Sequence, residues 1–214
     1  MWELKCMKTN TCSPHTQLSC FHQPLHSIYA ALAVAMLSSA CGGGGGGAAA
    51  PTNPVFGQNG SVDVNVVTME AGQTCNIARF PQELLAHINA VRVAGQNCGG
   101  TLMAPAAPLT WNTLITQAAA MHSLDMASKN FYSHTGTDGG GVFDRFAAVG
   151  YEHNDAGEIL LAGTTKIPDA MNSFLRSPSH CSYLMRPDYK EVGGACVSNA
   201  ASRFKHYLTV DFGS

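Results

Sequence analysis

Two histidines and one glutamate stand out, each beside small or turn-forming residues. His134 lies in Ser133-His134-Thr135-Gly136, Glu158 follows Gly157, and His180 closes Ser177-Pro178-Ser179-His180. Two imidazoles and a carboxylate are a plausible zinc ligand set that leaves a fourth position for water. Hydrolysis at such a metal also needs a general base beside that water. Glu158 cannot serve both as ligand and as base, so the set is one carboxylate short of a metallohydrolase. Asp144 and Glu152 are the acids nearest in sequence, and nothing in the pattern places either in the site. The same residues also suit a cleft for a polar ligand. Glu158, beside Ile159 and Leu160, equally fits a buried carboxylate paired with a histidine and no metal.

The other histidines carry less. His122, with Asp125 three positions on, reads as a helix-packing residue, and His87, His153 and His206 sit in no supporting pattern. The G-x-S-x-G signature of a serine nucleophile is absent.

Elements able to position these residues follow from periodicity. Leu84, Leu85, Ile88 and Val91 recur on one face between Pro81 and Gly95, which predicts a helix with proline at its start and glycine past its end. Trp111, Leu114, Ala118 and Met121 predict a second helix to Lys129, with Asn112 as its cap. A shorter helix is expected from Phe143 to Gly150, and a fourth from Pro168 that stops before Pro178. Glu191–Val197 and Tyr207–Phe212 read as strands. Helices first and strands later imply an α+β arrangement, a sheet covered by helices.

The chain divides by composition before that domain begins. Residues 1–41 hold four of the eight cysteines and an apolar run from Ile28 to Leu37. A run of about ten residues is too short for a bilayer span, which needs about 20, and fits the core of an export signal. Leu-Ser-Ser-Ala-Cys followed by glycines resembles a bacterial lipoprotein signal, with lipid on Cys41. Residues 42–74 read as a flexible linker, with a short strand suggested by the alternation of Val62, Val64 and Val66. Residues 75–214 are then one domain, long enough for a single core. With 12 basic and 14 acidic residues and no basic cluster, nucleic acid and anionic headgroups are poor partners, so any membrane contact runs through the lipid anchor.

Cys75, Cys98, Cys181 and Cys196 remain after the leader, and an even number in an exported domain argues for disulfides. Three connectivities are open. Proximity favours Cys75–Cys98 with Cys181–Cys196, the second closing a loop of about 15 residues, worth about 3 kcal/mol in the chain-entropy picture. A four-cysteine zinc site would need closer C-x₂₋₄-C spacing.

Several motifs in order resemble one family. They are Ile88-Asn89-Ala90-Val91-Arg92, Cys98-Gly99-Gly100, Pro108-Leu109-Thr110-Trp111-Asn112 and Phe131-Tyr132-Ser133-His134-Thr135-Gly136. Asp144-Arg145, Gly150-Tyr151, Ala156-Gly157-Glu158, Ser177-Pro178-Ser179-His180, Glu191-Val192-Gly193-Gly194 and Tyr207 through Gly213 follow. Together they are similar to the bacterial branch of the CAP superfamily, the cysteine-rich secretory, antigen 5 and pathogenesis-related proteins. The resemblance implies a three-layer α-β-α sandwich with two histidines and one or two acids lining a central cleft, here His134, His180 and Glu158. The amide that usually follows the glutamate is Ile159, and no acid between Asp169 and Asp188 stands for a second glutamate.

Two function classes follow as expectations. The favoured one is an exported, lipid-anchored or secreted module of the cell envelope that binds a small ligand, a lipid or an envelope protein without catalysis. The alternative is a metal-dependent hydrolase acting on peptides or envelope polymers. No cofactor is certain, and any zinc in the cleft would be held weakly.

Overall fold

The structure, a computed structural model, describes residues 60–214. The leader and Cys41 lie outside the described residues. Among those described, no helix is long and apolar enough to cross a membrane.

Helix α1 spans Phe80–Ala94, with Pro81 in its first turn and Gly95, at φ +73°, ending it. Its buried residues Phe80, Leu84, Ile88 and Arg92 recur every fourth position, the spacing that puts side chains on one face. Helix α2, Thr113–Lys129, is capped as expected: the Asn112 side chain accepts from the amides of Leu114 and Ile115. Helix α3 spans Val142–Val149 and α4 spans Ile167–Arg176. A further helix, α5, runs from Pro178 to Met185. Pro178 ends one helix and opens the next, because a proline at the first turn gives up an amide that has no intrahelical partner anyway.

Strands β1 (Ser61–Val62), β4 (Thr110–Asn112), β5 (Ala156–Ala162), β6 (Glu191–Ser198) and β7 (His206–Gly213) form one sheet. Its order is β1-β4-β6-β7-β5. Only β4 and β6 run parallel. Strands β2 (Gln96–Cys98) and β3 (Thr101–Met103) pair as a separate hairpin. Strand β1 is shorter than the valine alternation implies, and Val64–Val66 turns as a 3-10 helix. The chain from Gly60 onward thus contributes to the fold, within the stretch expected as linker.

The sheet lies between two helical layers. Ile159, Val210 and Phe212 pack with Phe80, Leu84, Ile88 and Phe174 of α1 and α4. On the opposite face Leu160 and Tyr207 meet Met126 and Ala127 of α2, and Ala156 meets Phe146 of α3. Alternate strand residues point to opposite faces, so this division follows from the pleat. Helix α2 lies close because β6 carries glycine and alanine beneath it. A Cβ at Gly193 would stand 2.3 Å from the Thr116 amide nitrogen.

The disulfides differ from the expected pairing. Cys75 bonds Cys196, and Cys98 bonds Cys181. Closeness in sequence governs loop-closure entropy alone. Here Thr74 pairs beside Cys196 on β6, while Cys181 on α5 packs against the β2–β3 hairpin. The loops span 121 and 83 residues, which in the chain-entropy picture stabilise by about 4–5 kcal/mol each.

Candidate functional site

Glu158 is the organising residue. It sits on β5 with its side chain 3% exposed, directed at the α2–α3 layer. Sequence reading assigns no strand here, because glycine and glutamate break the pattern and Ile159-Leu160-Leu161 does not alternate. A Cβ at Gly157 would stand 2.1 Å from the Tyr189 hydroxyl, so only glycine fits beside Glu158.

Both oxygens of Glu158 are engaged. His134 Nδ1 lies 2.7 Å from Oε1, and Arg145 Nη2 of α3 lies 2.5 Å from Oε2. His122 Nε2 of α2 stands 3.9 Å from Oε1 and donates to the Ser133 carbonyl at 2.8 Å. Burial alone would raise the Glu158 carboxyl, yet the His134 hydrogen bond and the charges of Arg145 and the histidines hold it below its usual range. Glu158 is therefore ionised and accepts only. His134 donates to it through Nδ1, which leaves Nε2 as the ring nitrogen not bound to Glu158.

His134 belongs to the loop between α2 and α3, with its side chain 61% exposed. His180 lies on the first turn of α5, where the Ser177 side chain caps its amide and its ring meets Phe174 edge-on at 5.4 Å. Burial lowers the His180 imidazole, and the nearby His134 lowers it further. All three expected residues line one cleft of about 390 Å³, together with Thr135, Val142, Phe143, Gly157, Ser179 and Tyr183. That volume is typical of a small-ligand site.

The acids nearest in sequence do not supply the missing carboxylate. Asp144 caps α3 through the Gly141 amide at 2.8 Å, and neither it nor Glu152 lines the cleft. Two residues without an assigned role in the sequence reading belong to the cluster: Arg145, and Asp211 on β7. Asp211 is the cross-strand neighbour of Glu158 and fully buried. Neither of its oxygens receives a hydrogen bond from a described residue. Burial first, then the Glu158 charge, pushes its carboxyl far above the usual range, so it keeps its proton beside Glu158. A lone acid between Val210 and Phe212 in a buried strand was the available signal.

These positions do not fit a three-ligand zinc centre. Glu158 already takes His134 on one oxygen and Arg145 on the other, so a metal there would compete with the Arg145 cation. Among the described residues no three histidine, cysteine or acidic side chains are grouped to hold a metal ion. What remains is the pair of imidazoles, His134 oriented by Glu158 and His180 facing it across the cleft.

A family model described as the cysteine-rich secretory protein family, CAP, matches residues 85–212. YkwD of Bacillus subtilis (strain 168) is 23% identical over 94 residues, 44% of this chain and 37% of that protein. The membrane protein YlbC of the same strain is 30% identical over 87 residues, 41% of this chain and 25% of its own length. The match thus spans well under half of either relative. Among solved structures, an outer surface protein of Borrelia burgdorferi aligns with TM-score 0.51 at 20% identity, covering 62% of this chain and 90% of that one. An extracellular SCP-domain protein of Bacillus anthracis aligns with TM-score 0.51 at 21% identity, over 62% and 39%. At these identities the structural likeness concerns the fold.

Proposed function

The chain belongs to the cysteine-rich secretory protein family, and from that premise we propose that it is an exported binding module whose cleft holds a ligand without transforming it. The observation that carries this reading is the complete engagement of Glu158. With its side chain 3% exposed and its oxygens bonded to His134 on one side and Arg145 on the other, the carboxylate is held as the partner of those two groups and away from open solvent. Among the described residues no serine or cysteine is hydrogen-bonded to the His134 ring: the cysteines are bridged, Ser133 accepts from the Thr135 amide, and Ser179 in the cleft pairs with Ser177. The cleft presents a floor from β5 and walls that mix the imidazoles of His134 and His180 with Val142, Phe143 and Tyr183, a surface suited to recognition.

Export is supported by the two disulfides, which persist in oxidising compartments, and by structural neighbours described as outer surface and extracellular proteins. Anchoring through a lipid on Cys41 is part of the proposal. Palmitate labelling of the chain and of its Cys41→Ala variant in a bacterial host tests it, with label expected only on the former.

For the cleft, nitrogen-detected NMR of His134 and His180 during addition of an envelope oligosaccharide, palmitate or capped peptides should show saturable shifts with the probe recovered intact. Cleavage of any probe that is lost in His134→Ala would overturn the non-catalytic reading.

A further inference from the structure

We infer that the ligand of this cleft is an extended peptide, which pairs its main chain with the open edge of β5 as a sixth strand of the sheet. The inference rests on the reading of the cleft as a binding site and names its ligand class.

Strand β5 is the last in the sheet order. In an antiparallel ladder, successive residues turn their amide and carbonyl alternately toward the partner strand and away from it. The parity is fixed at both ends of β5. The Asp155 carbonyl accepts from Ser214 at 3.3 Å, and the Gly163 amide donates to His206 at 2.9 Å. Odd-numbered residues therefore face β7, and Ala156, Glu158, Leu160 and Ala162 face outward. The Ala156 amide agrees, since it donates to the Asp155 side chain at 2.9 Å.

The outward groups that reach the cleft are the Ala156 carbonyl and the amide and carbonyl of Glu158. Ala156, Gly157 and Glu158 form its floor. No described residue hydrogen-bonds those three groups. Main-chain amides and carbonyls are strong hydrogen-bonding groups, and along a strand edge they stand ready to pair with a further strand. The cleft thus presents a donor and acceptors at the spacing of a β-ladder. A peptide supplies both at that spacing, and an acyl chain supplies neither.

The walls suit the same occupant. An added strand directs alternate side chains to opposite sides. One side here offers His134, Thr135, Val142 and Phe143, and the other offers Ser179, His180 and Tyr183. Phe143 and Tyr183 are 52% and 40% exposed, open to contact from a bound side chain. At about 3.3 Å per residue the open floor pairs with about two or three residues, so affinity depends on side-chain contacts as well.

The experiment uses the full chain and a pool of acetylated, amidated nonapeptides of random sequence. Enriched peptides are resynthesised with a single N-methyl group at each position in turn, which removes one main-chain donor and leaves the side chain. The expected result is a loss of tenfold or more at alternate positions only, with at least tenfold slower exchange of the Glu158 amide in the complex. Uniform tolerance of N-methylation, or absence of any enriched peptide, would overturn the inference. If palmitate or an oligosaccharide then moves the His134 and His180 signals, the binding reading survives with another ligand class. If no probe moves them, both readings fall.

Discussion

At the scale of single residues, the site is a set of titrating groups whose environments drive them apart. Glu158 is held ionised and Asp211, beside it, is held protonated. The unfolded chain ionises an aspartate near pH 3.9, so above that pH the folded state retains a proton that the unfolded state has lost. Stability then falls by about 1.4 kcal/mol per pH unit until the raised Asp211 value is passed. Glu158 runs the other way: its contribution is present above the ordinary carboxylate range and is lost as pH falls through its depressed value. Asn at position 211 has nearly the same shape and cannot ionise. Urea unfolding of Asp211→Asn should therefore show about 1–3 kcal/mol of added stability at pH 7, vanishing near pH 4. Reduced stability at pH 7 would mean that Asp211 is ionised in the native state. Burial also lowers His180 and His122. The unfolded imidazoles take up protons near pH 6.5, before the folded ones, so stability should decline from about pH 6.5 downward. His180→Gln should make that acid limb shallower, and an unchanged slope would contradict the lowered His180.

At the scale of elements, what was legible in the sequence was what punctuation marks. Pro81, Gly95, Asn112 and Gly150 bound α1, α2 and α3 close to where periodicity puts them, and the β-branched and aromatic run after Tyr207 is β7. Two elements that carry the site were not legible. Strand β5 hides Glu158 behind a glycine required by Tyr189, and α5 hides His180 behind a proline that reads as a stop. The cleft histidines and Glu158 come from family resemblance, whereas Asp211 joins them through a cross-strand pairing that no local pattern encodes. The disulfide pairing escapes sequence reading for the same reason, since contacts between distant segments decide it. Arg92 shows how such contacts are fixed. Fully buried, it donates to the carbonyls of Ala107 at 2.8 Å, Leu184 at 2.7 Å and Arg186 at 2.9 Å, tying α1 to the end of α5. A lysine there is a point charge that cannot span the same carbonyls. Arg92→Lys should lose at least about 2 kcal/mol in chemical denaturation; a change below about 0.5 kcal/mol would show that the clamp is dispensable.

For the whole molecule, the cleft lies where the two helical layers fail to meet over the outer edge of the sheet. The α2–α3 loop brings His134 from one layer, α5 brings His180 from the other, and β5 supplies the floor. The α1–α4–α5 layer is tied down by Cys75–Cys196, Cys98–Cys181 and Arg92, which holds His180, next to Cys181, at the edge of the gap. Its central carboxylate is committed to positioning His134, with Arg145 on its other oxygen. Calorimetric titration of zinc at pH 7 tests that commitment most directly. The account predicts a Kd no tighter than about 10 μM, as two neutral imidazoles allow, weakening toward pH 5, changed less than about threefold by Glu158→Gln and lost in His134→Ala with His180→Ala. Submicromolar zinc binding that disappears in Glu158→Gln would make Glu158 a ligand and contradict it.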